Sequence, residues 1–163
     1  MEFNIDTANV LKIKDMELSE LLQQVYVGGG FVDADQAISL FDPSAVRQRG
    51  VLIGAREIQT SILAGVVIVV SPESPACRLA KNNEVEMHLL GVKPAYRQNG
   101  LGSSLIEATI SNAKQGGYKK MILWTQTTML SAQRLYESMH FIHTKEMSRN
   151  GIDFLVYERE LST

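Results

Sequence analysis

Six residues carry the clearest chemistry in this chain: Arg97-Gln98-Asn99-Gly100-Leu101-Gly102, between an apolar strand and an amphipathic helix. The first turn of a helix holds N–H groups with no intrahelical partner and a partial positive charge, a combination that suits a phosphate. Glycine at Gly100 and Gly102 lets the main chain approach an anion with no Cβ in the way. Ser103 and Ser104 add hydroxyl donors, and Arg97 adds a charge-assisted contact. Other phosphate loops fit less well. A Walker A loop needs Lys before Ser or Thr after its last glycine, where Ser103-Ser104 stands. A dinucleotide fingerprint needs a third small residue where Leu105 sits. On the glycines alone, an ordinary strand–turn–helix junction relieved of crowding remains the competing reading.

A second group lies just upstream. Glu84, Glu86 and His88 alternate along one strand and so share one of its sides. That pattern suits a polar groove, and equally a solvent-facing strand side, since a bulge near a site alters parity. No metal is expected. Two carboxylates and one histidine lie together, but His140 and His143 belong to a later segment. Cys77, the one cysteine, sits beside Pro75, Ala76 and Arg78 in a loop and reads as incidental. A lone cysteine excludes an intramolecular disulfide and fits a reducing compartment.

The elements that must position these groups follow from periodicity. Asp15 to Val27 reads as a helix with Asp15 as N-cap and an apolar stripe of Met16, Leu18, Leu21, Leu22 and Val25. Gly28-Gly29-Gly30 stops it. A short helix is expected around Pro43 to Arg49, and Phe31 to Gly50 is otherwise mixed. Val51 to Ala55 and Ile62 to Val70 are β-branched strands, followed by a loop carrying Pro72 and Pro75. Glu84 to Val92 is a strand and Leu101 to Gln115 an amphipathic helix closed by Gly116-Gly117. Lys120 to Thr125 reads as a strand and Ser131 to Met139 as a helix. Phe141 to Met147 and Ile152 to Leu161 form a closing pair turned at Asn150-Gly151. The sum is an α/β (α+β) fold with a central mixed sheet, expected to form a single domain over residues 1–163.

With its context, the Arg97-x-x-Gly100-x-Gly102 turn resembles the Arg/Gln-x-x-Gly-x-Gly/Ala motif of the GNAT superfamily of N-acetyltransferases. It follows a strand ending Leu89-Leu90-Gly91-Val92 and the lead-in Lys93-Pro94-Ala95-Tyr96. Ala132-x-x-Leu135-Tyr136-Glu137-Ser138-Met139-His140-Phe141 resembles the family's Ala-x-x-Leu-Tyr-Glu-x-x-Gly-Phe segment. The resemblance implies a mostly antiparallel mixed sheet, flanked by helices and splayed at an acetyl-CoA site. The pantetheine arm would pair with main-chain groups of Leu90 and Val92. The pyrophosphate would rest on N–H groups from Gln98 through Asn99, Gly100, Leu101 and Gly102 to Ser103, with Arg97 beside it.

The implied reaction is direct attack of a primary amine on the thioester. It needs a base for the amine and an acid for the departing thiolate. By resemblance Tyr136 is the acid and Glu86 the base, although several family members use only a water chain. Tyr136 also reads as an aromatic packed with Leu135 and Met139. A non-catalytic acyl-CoA-binding sensor on the same fold is the alternative function, and it would not need Tyr136. Two positions depart from the pattern. Met129 stands where an asparagine usually contacts the cofactor, leaving Thr127, Thr128 or Ser131 to supply that contact. His140 replaces a glycine at the turn before Phe141, where a left-handed conformation is expected.

Bulk properties limit the partners. A net charge of −2 gives no basic footprint for nucleic acid and no attraction to an anionic membrane surface. The first residues lack the basic start and apolar run of a signal peptide, and the apolar run Ile62 to Val70 is too short to span a bilayer. A cytoplasmic protein is expected. Acceptor choice should fall to Asp15 to Gly50, Arg56 to Thr60, Ser71 to Asn83 and Met147 to Asp153. Within these, Gly28-Gly29-Gly30-Phe31 reads as either a mobile or a closely packed segment expected to border the acceptor site, and Asp33, Asp35 and Asp42 either attract a cationic amine or are simply solvated. The acceptor is a small-molecule amine or a protein or peptide amine, and the resemblance allows a homodimer through the late strands.

Overall fold

The computed structural model describes residues 1–161. One seven-stranded sheet runs in the order β1-β2-β3-β4-β5-β7-β6. Its strands are β1 (Phe3–Thr7), β2 (Val51–Glu57), β3 (Leu63–Val70), β4 (Glu84–Val92), β5 (Lys120–Gln126), β6 (Ile142–Arg149) and β7 (Ile152–Glu160). The helices are α1 (Ala8–Leu11), α2 (Asp15–Leu22), α3 (Ala34–Leu40), α4 (Pro43–Gln48), α5 (Leu101–Gln115) and α6 (Leu130–Ser138). Every strand pair is antiparallel except β4–β5, which is parallel. This is the mixed, mostly antiparallel sheet expected from the sequence.

Strand β3 lies in the interior of the sheet, third of seven, because all of Leu63–Val70 is apolar or glycine, and every one of its residues is buried. Such a strand must be covered on both faces. On one face Leu101, Leu105, Ile106, Ile110 and Ala113 of α5 pack against Val67, Val69, Val85 and Met87. On the other, Leu18, Leu21 and Leu22 of α2 and Val46 of α4 pack against Leu52, Val66, Ile68 and Val70.

Three features arise where local preference yields to packing. Helix α2 takes Lys14, not Asp15, as its N-cap, because Glu17 reaches back to the Lys14 N–H at 2.9 Å. Asp15 instead pairs with Arg47 of α4 at 2.9 Å. The same helix runs on as a π-helical turn over Gln23–Val27 before the glycines end it. At the far end of α5 the left-handed residue is Gly117 (φ 81°), one place beyond the cap at Gly116. Strand β1 and helices α1 and α3 add to the expected elements. Phe3 and Ile5 alternate inward on a short edge strand, a weak signal at this length.

The feature that shapes the site is a splay. Strands β4 and β5 are paired only at Glu84–Lys120, Val85–Met121 and Glu86–Ile122. Beyond Glu86 they diverge. A bulge helps: Leu89 has φ 53°, and the β3–β4 register slips between Val66 and Ile68. The extra residue bends β4 away from β5.

Candidate active site

The splay opens into a cavity of about 940 Å³ that runs from the Arg97–Gly102 turn to the side chains of the π-helical turn, the end of α3 and Arg49 just past α4. At the turn, Gln98 (φ 64°) and Gly100 (φ 73°) are left-handed. Excursions of this kind turn successive N–H groups toward a common concavity. The N–H of Ser104 closes back on the Gly100 carbonyl at 3.1 Å. Among the described residues, the N–H groups of 98 through 103 have no protein acceptor. These six donors make an anion cradle whose partner must come from outside the chain.

The side chains there do something else. Asn99 donates to the carbonyls of Tyr96 (3.2 Å) and Arg97 (3.0 Å), bracing the loop. Arg97 uses its Nε on the Val92 carbonyl at 3.1 Å, leaving its other four N–H donors. A Cβ at Gly100 would meet nothing within 4 Å, whereas one at Gly102 would meet Leu135 Cδ2 of α6 at 2.9 Å. Gly102 therefore lets α5 approach α6, a packing role in addition to the one expected. Leu90 and Val92 both line the cavity, and the Leu90 carbonyl accepts the Tyr26 hydroxyl at 3.1 Å.

Tyr136 reaches the cavity from the α5–α6 face. Its ring is buried against Phe141 and Tyr157, with centroids 6.1 and 6.0 Å away. Its hydroxyl has no protein partner among the described residues and is open to the cavity. Packing and exposure of the polar tip thus coexist. Burial pushes the phenol well above its usual range, so it keeps its proton at neutral pH. His140 takes φ 68°, so histidine holds the left-handed turn before Phe141 that glycine was expected to supply. Met129 lines the cavity beside Thr128 and Ser131.

Glu86 lies on the opposite face and is fully buried. One carboxylate oxygen accepts the N–H groups of Arg78 (2.9 Å), Leu79 and Ala80 (2.8 Å), and the thiol of Cys77 at 3.4 Å. The other bonds His88 Nε2 at 2.8 Å. Burial alone would raise this carboxyl, but His88 and the loop N–H groups outweigh it and hold it well below the usual carboxylate range. Of the two, His88 and not Glu86 lines the cavity. Burial keeps the imidazole below its ordinary range, against the opposing pull of Glu86. With Glu86 ionised, Nε2 is the protonated nitrogen and Nδ1 the free acceptor, facing Arg49 Nη1 at 3.5 Å. Glu84 takes no part in this pair and bonds Lys120 and the Lys81 N–H. Among the described residues no group of three or more His, Cys, Asp or Glu side chains could hold a metal ion.

The wall opposite the turn draws Tyr26, Phe41 and Arg49 from the Asp15–Gly50 segment expected to govern acceptor choice, but its individual side chains were not foreseen from the sequence. Tyr26, Phe41, Arg49 and Trp124 line it, from the π-helical turn, the end of α3, the end of α4 and β5. Trp124 packs edge-on to His88 with centroids 4.9 Å apart. The glycine segment closes this end. A Cβ on Gly29 would strike the Val25 carbonyl at 2.5 Å, and the Phe31 carbonyl accepts Gln126 Nε2 at 3.0 Å. It is closely packed, as one of the two expected readings had it.

Comparison with known proteins agrees with this geometry. The family model described as Acetyltransferase (GNAT) family matches residues 16–141. An uncharacterised N-acetyltransferase of Schizosaccharomyces pombe is 31% identical over 144 residues, covering 88% of this chain and 83% of that protein. Human N-alpha-acetyltransferase 30 is 36% identical over 70 residues, 41% of this chain but 19% of the human protein, so the match spans about a fifth of that relative. The crystal structure of a Bacillus subtilis acetyltransferase in complex with CoA superimposes with a TM-score of 0.69 at 18% identity, covering 98% of this chain and 99% of that one. At that identity the likeness speaks for the fold.

Proposed function

The chain belongs to the GNAT family of acetyltransferases, and from that premise we propose that it moves an acetyl group from acetyl-CoA to a primary amine. The observation that carries this reading is the cradle of six unpaired N–H groups at one end of a cavity continuous with the β4–β5 splay. The pyrophosphate of acetyl-CoA rests on the main chain from Gln98 to Ser103, with Arg97 as a charge-assisted partner. The pantetheine arm occupies the splay and pairs with the main chain of Leu90 and Val92, displacing the contacts made there by Tyr26 and Arg97. That a Bacillus subtilis acetyltransferase of the same fold was crystallised with CoA supports a CoA ligand.

The amine nitrogen attacks the thioester carbon and the carbon–sulfur bond breaks. Neutral His88, steadied by the Glu86 carboxylate, takes a proton from the amine through Nδ1. Glu86 is thus a positioning residue in the base unit, because both its oxygens are already bonded and it does not face the cavity. Tyr136 gives its proton to the departing CoA thiolate, yielding amide and free thiol. Bulk solvent then returns a proton to the phenolate and removes one from the imidazolium. Acid and base reach the thioester from opposite faces of the sheet, and the splay is the passage between them.

Thiol release from acetyl-CoA with a panel of amines tests the reading. Release dependent on an amine, with Tyr136→Phe lowering turnover about 100-fold at near-constant acetyl-CoA affinity, is the expected result. Binding of acetyl-CoA with no amine-dependent release would instead favour a non-catalytic acyl-CoA sensor.

A further inference from the structure

Arg49 stands apart from the paired arginines among the described residues. Arg56 is paired with Glu17 at 2.7 Å and Arg47 with Asp15 at 2.9 Å. None of the ion pairs among the described residues includes Arg49, although it is half-buried. Its two side-chain contacts are long, 3.5 Å to His88 Nδ1 and 3.4 Å to the Leu40 carbonyl. A guanidinium has five N–H donors in a fork matched to a carboxylate. Burying a cation with no counter-ion is unfavourable, and here burial already pulls its affinity for the proton down. Among its neighbours the Tyr26 hydroxyl opposes that pull and Arg78 adds to it, and no carboxylate takes part.

Its location supplies the ligand. Arg49 lines the same cavity as His88, at the end formed by Tyr26, Leu40, Phe41 and Trp124. The acidic residues expected to draw in a cationic amine, Asp33, Asp35 and Asp42, are exposed and do not line the cavity. The backbone of Arg49 is fixed from outside by Ser74, whose hydroxyl donates to its carbonyl at 2.7 Å. The cavity thus presents a held, unpaired cation next to the nitrogen proposed as the base, within an apolar and aromatic wall.

We propose that Arg49 is the receptor for a carboxylate on the acceptor, so that the amine acetylated by this protein also carries a carboxylate a few bonds from its nitrogen. This rests on the acetyltransfer reading above. The carboxylate takes the fork of Arg49, the neighbouring amine is brought to His88 Nδ1, and the apolar wall receives a hydrophobic side chain. A free α-amino acid with an apolar side chain meets these demands, as does a peptide whose first residue is acidic. A simple amine or an amino-acid amide lacks the partner for Arg49.

The test compares phenylalanine, phenylalaninamide and phenethylamine, with the dipeptides Asp-Phe-amide and Asn-Phe-amide, as acceptors for the wild type and Arg49→Gln. The expected wild-type preference is on the order of 30-fold in kcat/KM for the carboxylate member of at least one pair, the effect of one charged hydrogen-bonded partner. The pair in which it appears separates a free amino acid from an acidic N-terminus. In Arg49→Gln the preference should fall to about 3-fold or less, with acetyl-CoA KM retained. Arg49→Lys should recover part of it, since charge returns without the fork. Equal use of the carboxylate and neutral members, or an equal loss of both in Arg49→Gln, would overturn the proposal while leaving acetyltransfer intact. Calorimetric titration of the same compounds into the CoA-loaded protein separates the two readings. Binding confined to carboxylate acceptors and lost in Arg49→Gln, without turnover, would uphold the anion site and overturn acetyltransfer.

Discussion

The two ends of the cavity are built by different means. The proposed cofactor end is a contiguous stretch of main chain, six N–H groups in sequence order from Gln98 to Ser103, braced by the side chains of Arg97 and Asn99. The opposite end is made of side chains brought together from five separate places: Tyr26, Phe41, Arg49, His88 and Trp124. The first holds a ligand common to a whole family, because any backbone with this conformation can hold a phosphate. The second selects, because it depends on which side chains happen to stand there. The two kinds of construction should fail differently under mutation.

The largest expected effect falls on the cofactor end. A Cβ at Gly100 has open space around it, yet the residue is left-handed at φ 73°, where valine is poorly tolerated. Gly100→Val should therefore leave the core intact, refold the loop and scatter its donors, weakening acetyl-CoA by about 100-fold or more. Gly102→Val should cause a comparable loss for a mixed reason, since its Cβ meets Leu135 at 2.9 Å. Combining it with Leu135→Ala separates the two causes. Full recovery of binding in the double variant would show that Gly102 serves packing alone. Binding by Gly100→Val within about 3-fold of wild type would remove the cradle from the cofactor site.

The next effect is expected at the other end and should spare cofactor affinity. In Glu86→Gln the amide oxygen can keep the Arg78 to Ala80 N–H groups, but its NH₂ must then donate to His88 Nε2. That forces the ring proton onto Nδ1 and removes the base. Turnover should fall about 100-fold with acetyl-CoA affinity unchanged, and His88→Ala should match it. Normal turnover in His88→Ala would exclude His88 as the base.

The same variant has a pH signature. Because the folded Glu86 carboxyl is held below its unfolded value near 4.5, its stabilising contribution is complete above that pH. It is lost as pH falls through the folded value. The stability difference between wild type and Glu86→Gln, about 1–3 kcal/mol in urea unfolding at pH 7, should be flat down to about pH 5 and close at lower pH. A constant difference down to pH 3 would mean that the charge on Glu86 is not what holds the 78–80 loop.

What could be read in advance follows the same division. The Gly100-x-Gly102 turn, α5 and β3 were legible because their signals are local: glycine spacing, a helical stripe and a continuous apolar strand. The family and the sheet could be inferred from the order of such signals, and the family-model match bears this out. The partnership of Glu86 with His88 was half visible as alternation on one strand. The three N–H groups that consume one oxygen of Glu86 come from a loop with no motif of its own. Arg49 was not legible at all. A single arginine at the end of a six-residue helix is unremarkable until folding places it, unpaired, across the cavity from the cofactor turn. Side-chain convergence over long sequence distance leaves no periodic trace.

The smallest effects should come from changing side chains in the cradle itself, and they bear most directly on the contrast. Gln98 is exposed, left-handed at φ 64°, and its side chain makes no hydrogen bond among the described residues. Gln98→Gly keeps the N–H group and removes the Cβ penalty of the left-handed region, about 1 kcal/mol. The greater freedom of glycine in the unfolded chain offsets part of that gain. The net change in stability should be within about 0.5 kcal/mol, and acetyl-CoA affinity should stay within about 3-fold, because the donor geometry is unchanged. Asn99→Ala should do slightly more harm, since the bonds to the Tyr96 and Arg97 carbonyls hold the loop open for the anion. If Gln98→Gly instead lowered acetyl-CoA affinity by about 10-fold or more while stability held, the amide side chain would be touching the phosphate. The cofactor end would then rely on side chains as the acceptor end does, and the contrast between a main-chain grip and a side-chain selector would not survive.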